Sequence, residues 1–204
     1  AGRHDWRVLT YKIDTIADVQ EALWDPEGVD PTRSVGGAIG YPMAAQVLSQ
    51  ELSNKLTMLA ELTLTEPTVR TLLLVGRQPP TAAGPGTFLD EMLSFAGGSN
   101  VLDETAGMYP TLDRERLLRL EPDVVVIINA STAGGAAGGA VATTQPAESL
   151  PDVGDARVVE LSHPLALLPS TSMPTIAAEL TRLLHPELAG EVDAVMEEAS
   201  SERP

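Results

Sequence analysis

Apolar residues recur along this chain with two different periods, and the elements change where the period changes. Arg7 to Tyr11 reads as a short strand. Asp14 or Thr15 then caps a helix to about Trp24, with Ile16, Val19, Leu23 and Trp24 on one face. Asp25 to Gly40 is rich in Gly, Pro and Asp, the composition of a loop. From Pro42 to about Leu62, Ala44, Leu48, Leu52, Leu56 and Ala60 recur at i+4, with Val47 and Leu59 beside them. That spacing predicts one long helix. At 1.5 Å per residue it spans roughly 30 Å, the diameter of a small domain, so it can serve as a strut between two lobes.

Pro67 stops the helical pattern. Val69 to Val75 is almost entirely aliphatic and predicts a strand covered on both faces. Phe88 to Ala96 is helical and is closed by Gly97-Gly98. Asp113 caps a short helix, Arg114 to Leu120, and Val124 to Ile128 is a second buried strand. Ser131 to Ala147, dominated by Gly, Ala and Thr, reads as a mobile loop. Arg157 to Leu161 is a third strand and Pro174 to Leu184 an amphipathic helix. Pro186 to Pro204 is a helical, acidic tail expected to fray. Strands alternating with helices predict an α/β fold with a parallel, doubly wound, Rossmann-like sheet. The unit from Val69 to Asn129 is strand–helix–helix–strand, and its two loops are expected to open on one sheet edge. Open α/β sheets bind ligands at such an edge.

Composition narrows the partners. Apolar residues make up 43% of the chain but aromatics only 3%, so the core must be aliphatic and each ring is informative. The formal net charge of −16 repels a phosphate backbone and excludes nucleic acid as a natural partner. Cysteine is absent, which removes disulfides, thiolate-ligated zinc and thiol catalysis. No run approaches the ~20 apolar residues of a membrane-spanning helix. The chain opens on Ala-Gly-Arg-His-Asp-Trp-Arg with no signal peptide, as a fragment or a processed form does.

Several residues carry candidate chemistry. Gly84-Pro85-Gly86-Thr87-Phe88 follows a strand and opens a helix, so its backbone N–H groups are expected to face a bound ligand. Alternatively these glycines only make the turn. The run is not the G-x-G-x-x-G dinucleotide fingerprint. Tyr109, in a Gly-Met-Tyr-Pro loop, is either a core plug or a ring that stacks on a flat ligand, and its neighbourhood favours the ligand. Glu115 lies in the first turn of its helix, where the dipole favours a carboxylate. His4, His163 and His185 lack metal-ligand spacing, so no metal site is read from them. His163, just after the third strand, remains open as an axial contact to a haem iron or cobalt centre.

The order AGPGTFLDEMLSFAGGSNV, then YPTLDRERLLRLEPDVVVI, then LLPSTSMPTIAAELTRLLHPE resembles the periplasmic substrate-binding proteins of iron-complex and cobalamin ABC importers. The combination of Ala96 to Asn100 with Arg114 to Asp123 carries the resemblance, which extends from Ala44 to His185. It implies two α/β lobes joined by one long helix, with ligand held between them. On that pattern residues 1–41 are the remnant of an N-terminal lobe that is otherwise largely missing. Residues 42–63 are the interlobe helix, 64–186 the C-terminal lobe and 187–204 the tail. The resemblance further implies that Gly86, Thr87, Phe88 and Tyr109 border the ligand cleft. Glu115 then projects from the lobe top toward arginines of the permease dimer.

The implied protein is not an enzyme, has no catalytic residues or cofactor, and lies in the periplasm or another extracytoplasmic space. It captures cobalamin, haem or a ferric siderophore and delivers it to the permease. Where the family often has Arg before the last helix, this chain has Ser170-Thr171-Ser172, which disfavours ligands held by charge pairing. With half a cleft, these residues alone are expected to bind ligand weakly or not at all. Two other readings stand beside this one: a nucleotide-dependent enzyme with a Rossmann-like domain, and a one-lobed protein-interaction module. The enzyme lacks a visible nucleophile–base pair or paired carboxylates at the edge.

Overall fold

A computed structural model describes residues 9–25, 30, 33–130 and 153–201. The loop expected at Ser131 to Ala147 lies outside them, as do Arg7 and Val8 of the first expected strand. Leu9 to Tyr11 forms no strand, and no strand among the described residues lies beside it to supply the partner that a strand's backbone requires.

Helix α1, Ile16–Leu23, starts at a capping box in which Thr15 accepts from the Asp18 N–H while Asp18 accepts from Thr15. Within the stretch expected to be loop, Ser34 caps a single helical turn, α2, Val35–Ala38. Helix α3, Pro42–Thr63, has Pro at its start and runs for 22 residues, as its pattern predicts. Its buried stripe is Ser49, Leu52, Leu56, Leu59 and Thr63, a 3-4-3-4 spacing rather than the strict i+4 row. At 100° per residue an i+4 row precesses by about 40° a step, so Ala44 and Val47 emerge into solvent while Leu52 and Leu56 are buried.

The sheet has five strands: β1 Val69–Arg77, β2 Pro80–Ala82, β3 Gly98–Asn100, β4 Val124–Asn129 and β5 Arg157–Ser162. They run in the order β2-β1-β4-β5, with β3 also on β1. β3, β4 and β5 join in parallel, and only β2 is antiparallel. β2 and β3 are too short and too polar to have been visible as apolar runs.

Helices α4, Phe88–Phe95, and α6, Met173–Leu184, cover one face together with α1, α3 and the C-terminal α7, Ala189–Ser201. The short α5, Arg114–Leu120, covers the other through Leu117. The layers follow from the alternation of strand side chains. Leu73, Val124, Val126 and Ile128 enter the larger core, and Leu72, Leu74 and Val125 the smaller one. Among the described residues the acidic tail is packed rather than frayed. Val192 and Val195 are buried against the larger core, and Arg182 of α6 pairs with Asp193. Two valines three residues apart in sequence suffice to dock α7 although most of its surface is charged or small.

Candidate functional site

The Gly-Pro-Gly turn does not stand where the Val69–Asn129 pattern places it. β1 continues to Arg77, turns through Gln78 and a cis Pro79, and returns as β2. The Ala83 N–H then donates to the Leu73 carbonyl at 2.9 Å. The turn at Gly84 to Gly86 is therefore level with the middle of β1 and not at its carboxyl end.

The Gly84 and Gly86 N–H groups are already used, by the Met108 carbonyl and by Asp90. Thr87 caps α4, accepting from the Asp90 N–H at 3.2 Å and donating to the Gly84 carbonyl at 2.9 Å. Asp90 in return accepts from the Gly86 N–H at 3.2 Å, and its other oxygen accepts from the Asn100 amide at 3.0 Å. Asn100 also donates to the Ala83 carbonyl and accepts from the Leu102 N–H. Thr87 is completely buried and Phe88 lies in the larger core. Of the two side chains expected to border a cleft, one is engaged in capping and the other in packing. Gly86, exposed and at φ +78°, remains at the surface, with its N–H committed to Asp90.

Tyr109 is placed differently. Residues 108–112 pair with β2 from the far side: Gly84 donates to Met108, Ala82 to Pro110, and Leu112 to Pro80, at 2.7, 3.0 and 2.8 Å. Gly84 permits this approach, since a Cβ there would lie 2.2 Å from the Gly107 carbonyl oxygen. Tyr109 is 49% exposed, so it is no core plug, and Met108 beside it is also exposed. Partial burial, and then the Asp14 carboxylate, raise the Tyr109 hydroxyl above its ordinary pKa. The ring is neutral at physiological pH and offers a face and a hydroxyl donor.

At the carboxyl ends of the strands stands a polar group that the sequence reading passes over. Arg77 Nη2 lies 3.3 Å from Glu160 Oε2, while Asn129 and Ser162 donate to Glu160 Oε1, the latter at 3.2 Å. Glu160 thus collects the ends of β1, β4 and β5. A bulge in β1 between Leu74 and Gly76 shifts the alternation, which brings Arg77 to the face of Asn129 and Glu160. Of the residues that end β1, β4 and β5, Arg77 is the basic one, and Glu160 pairs with it. The available signal was that each apolar strand ends in a polar residue: Arg77, Asn129, Ser162.

His163 follows β5, and its Nδ1 accepts from the Leu165 N–H at 3.1 Å. That bond puts the proton of the neutral ring on Nε2, where it opposes coordination of a metal centre. Glu115 projects from the first turn of α5, 80% exposed, with Arg119 at 3.7 Å beside it.

A sequence model of the periplasmic binding protein family matches residues 19–148. The chain belongs to that family. A cobalamin-binding protein of Halobacterium salinarum is 28% identical over 100 residues, covering 48% of this chain and 27% of that protein. A vitamin B12-binding protein of Salmonella paratyphi A is 26% identical over 117 residues, or 56% and 39% of the two chains. Among solved structures, a periplasmic solute-binding protein from Veillonella parvula superposes with a TM-score of 0.64 at 15% identity. It covers 95% of this chain and 58% of that one. A periplasmic haem-binding protein from Pseudomonas aeruginosa gives 0.63 at 22% identity, over 85% and 61%. The matched stretches thus span well under half of the curated relatives, and the superpositions about three fifths of the solved chains. The parallel α/β fold read from sequence is the fold of these periplasmic binding proteins, which are binding proteins rather than enzymes. No helix among the described residues is long and apolar enough to cross a membrane.

Proposed function

We propose that this chain supplies the interlobe helix and C-terminal lobe of the substrate-binding component of an ABC importer, working outside the cytoplasm. It captures a metal chelate and delivers it to a permease, with cobalamin preferred over haem or a ferric siderophore. Family membership carries the class of function. The two curated relatives that bind cobalamin or vitamin B12 support the ligand.

The geometry supports the same ligand. Haem presents two carboxylates, and many siderophores are anionic; Arg77, at the strand ends, is already paired with Glu160. A cobalamin rim made of amides asks instead for hydrogen bonds and an apolar face. Asn129, Ser162, Tyr109 and Met108 are polar or apolar groups of that kind. Glu115, exposed and weakly paired, serves as a rim charge that steers docking on permease arginines. Domain limits of 1–41, 42–63, 64–186 and 187–204 remain our division, with α7 packed onto the lobe.

The test is titration with cyanocobalamin, haemin and a ferric siderophore, followed by calorimetry and absorbance. It is made on the chain alone and on the polypeptide extended by whatever its gene encodes upstream of Ala1. Binding of cyanocobalamin in preference to haemin is expected, strengthened in the extended polypeptide. If none of the three binds either form, the reading is wrong.

A further inference from the structure

At the end of the sheet opposite Arg77 and Asn129, several helix termini converge. α3 ends at Thr63, and Glu66 follows before β1. α6 ends at His185, from which a 3-10 turn, Pro186–Leu188, leads into α7 and carries Glu187. One ring nitrogen of His185 and one carboxylate oxygen each of Glu66 and Glu187 all lie within 4.8 Å of one another.

Two carboxylates near a histidine prove little alone, because exposed acids often cluster. The state of the imidazole is a separate observation. Its side chain is only 3% exposed, yet its Nε2 has no hydrogen-bond partner. Its Nδ1 is directed to Glu187 Oε1 at 3.6 Å, beyond hydrogen-bond range. The ring is held by packing: Gly97, at φ +78°, leaves room where a Cβ would stand 2.7 Å from Nε2 and 2.8 Å from the Thr63 Cβ. Buried polar side chains ordinarily find a partner, since leaving one unpaired costs about 1–3 kcal/mol. Here a buried imidazole lacks a partner at Nε2, and one of its ring nitrogens stands within 4.8 Å of both acids.

We propose that Glu66, His185 and Glu187 bind a divalent transition-metal ion, with zinc the best fit. An imidazole nitrogen with two carboxylate oxygens is a borderline donor set that suits zinc, whereas magnesium and calcium take oxygen alone. Donors about 2.0–2.2 Å from such an ion stand roughly 3–4 Å apart. Rotation of Glu187, whose side chain is 59% exposed, closes the remaining gap. The ion also neutralises two carboxylates on a chain of net charge −16. It ties the end of the strut α3 to the junction of α6 and α7, far from the ligand edge, so its role is structural and it does not depend on which chelate the lobe carries.

The test is calorimetric titration of zinc chloride into the chelator-treated 204-residue chain, with thermal unfolding followed in parallel. One zinc per chain is expected, with a midpoint that rises in zinc and not in equal magnesium. Loss of an outer-shell partner already costs 10–100-fold in affinity, so Glu66→Gln and Glu187→Gln should each weaken binding by about tenfold or more. Both acids lie outside the core, so these variants fold even if His185→Asn does not. Absence of saturable one-to-one zinc binding overturns the site. Zinc affinity unchanged in the double variant Glu66→Gln, Glu187→Gln overturns it equally.

Discussion

The hydroxyl of Thr87 makes two hydrogen bonds beyond the reach of water, accepting from Asp90 and donating to Gly84. Its value is as a cap and as the partner of a buried carbonyl. Thr87→Ala should lower stability by about 1–2 kcal/mol, a typical capping loss, and Thr87→Ser should recover most of it. Denaturant unfolding at constant m measures both. Glu179 of α6 shows the opposite economy. Burial raises its pKa, and the nearby His163 and Arg182 only partly oppose this. With the folded pKa above the unfolded one, its contribution to stability is fully present below the unfolded value. It is lost as pH rises through the folded value. Glu179→Gln should therefore raise the melting midpoint by roughly 1–3 °C at pH 7. The gain should vanish as pH falls to about 4, where unfolded glutamates take up protons. A gain that persists there would assign the effect to packing.

Among the elements, α3 shows how a periodicity can be right in kind and wrong in face. Its length and start are readable from Pro42 and the recurring leucines, but the buried stripe turns through Ser49 and Thr63, which no hydrophobicity pattern selects. Leu56 is 1% exposed, and Leu56→Ala should cost about 2–5 kcal/mol through lost burial and a cavity. Val47, 43% exposed, should tolerate Ala within about 0.5 kcal/mol. Thermal or chemical unfolding of the pair separates the faces, and equal losses would refute the stripe. β2 illustrates a different limit. Three residues, Pro80, Thr81 and Ala82, have no period to read, yet they carry the chain back along β1 and move the Gly-Pro-Gly turn away from the sheet's carboxyl edge.

For the whole molecule, the decisive contact joins residues 83 apart, Arg77 and Glu160. Glu160→Gln frees the guanidinium and removes a negative charge from the same edge. Affinity for anionic chelates such as haemin should then rise relative to cyanocobalamin, by severalfold or more if the released charge reaches one carboxylate. Competition titration of wild type against variant reads this out. An unchanged ratio would remove Arg77 and Glu160 from the ligand edge. The tail obeys the same logic of long-range contact: its acidic composition argues for fraying, but Val192 and Val195 find a core that only the assembled helices provide.

The parallel α/β architecture, the long helix and the family were legible in the chain itself. Apolar period, caps at Thr15, Thr87 and Asp113, and glycines at Gly97 and Gly98 are local codes, and local sterics and hydrogen bonding enforce them. Tertiary structure decided which chemistry remains available. Thr87 and Phe88, read as cleft residues, are engaged in capping and packing. Asn129 and Ser162 look like strand ends and Glu160 like a strand residue until the sheet register lines them up. His185 has no metal-ligand spacing in the sequence, and only the fold sets it beside Thr63, Gly97 and two acids. Exposure and pairing depend on residues far apart in the chain, so no local pattern could settle them.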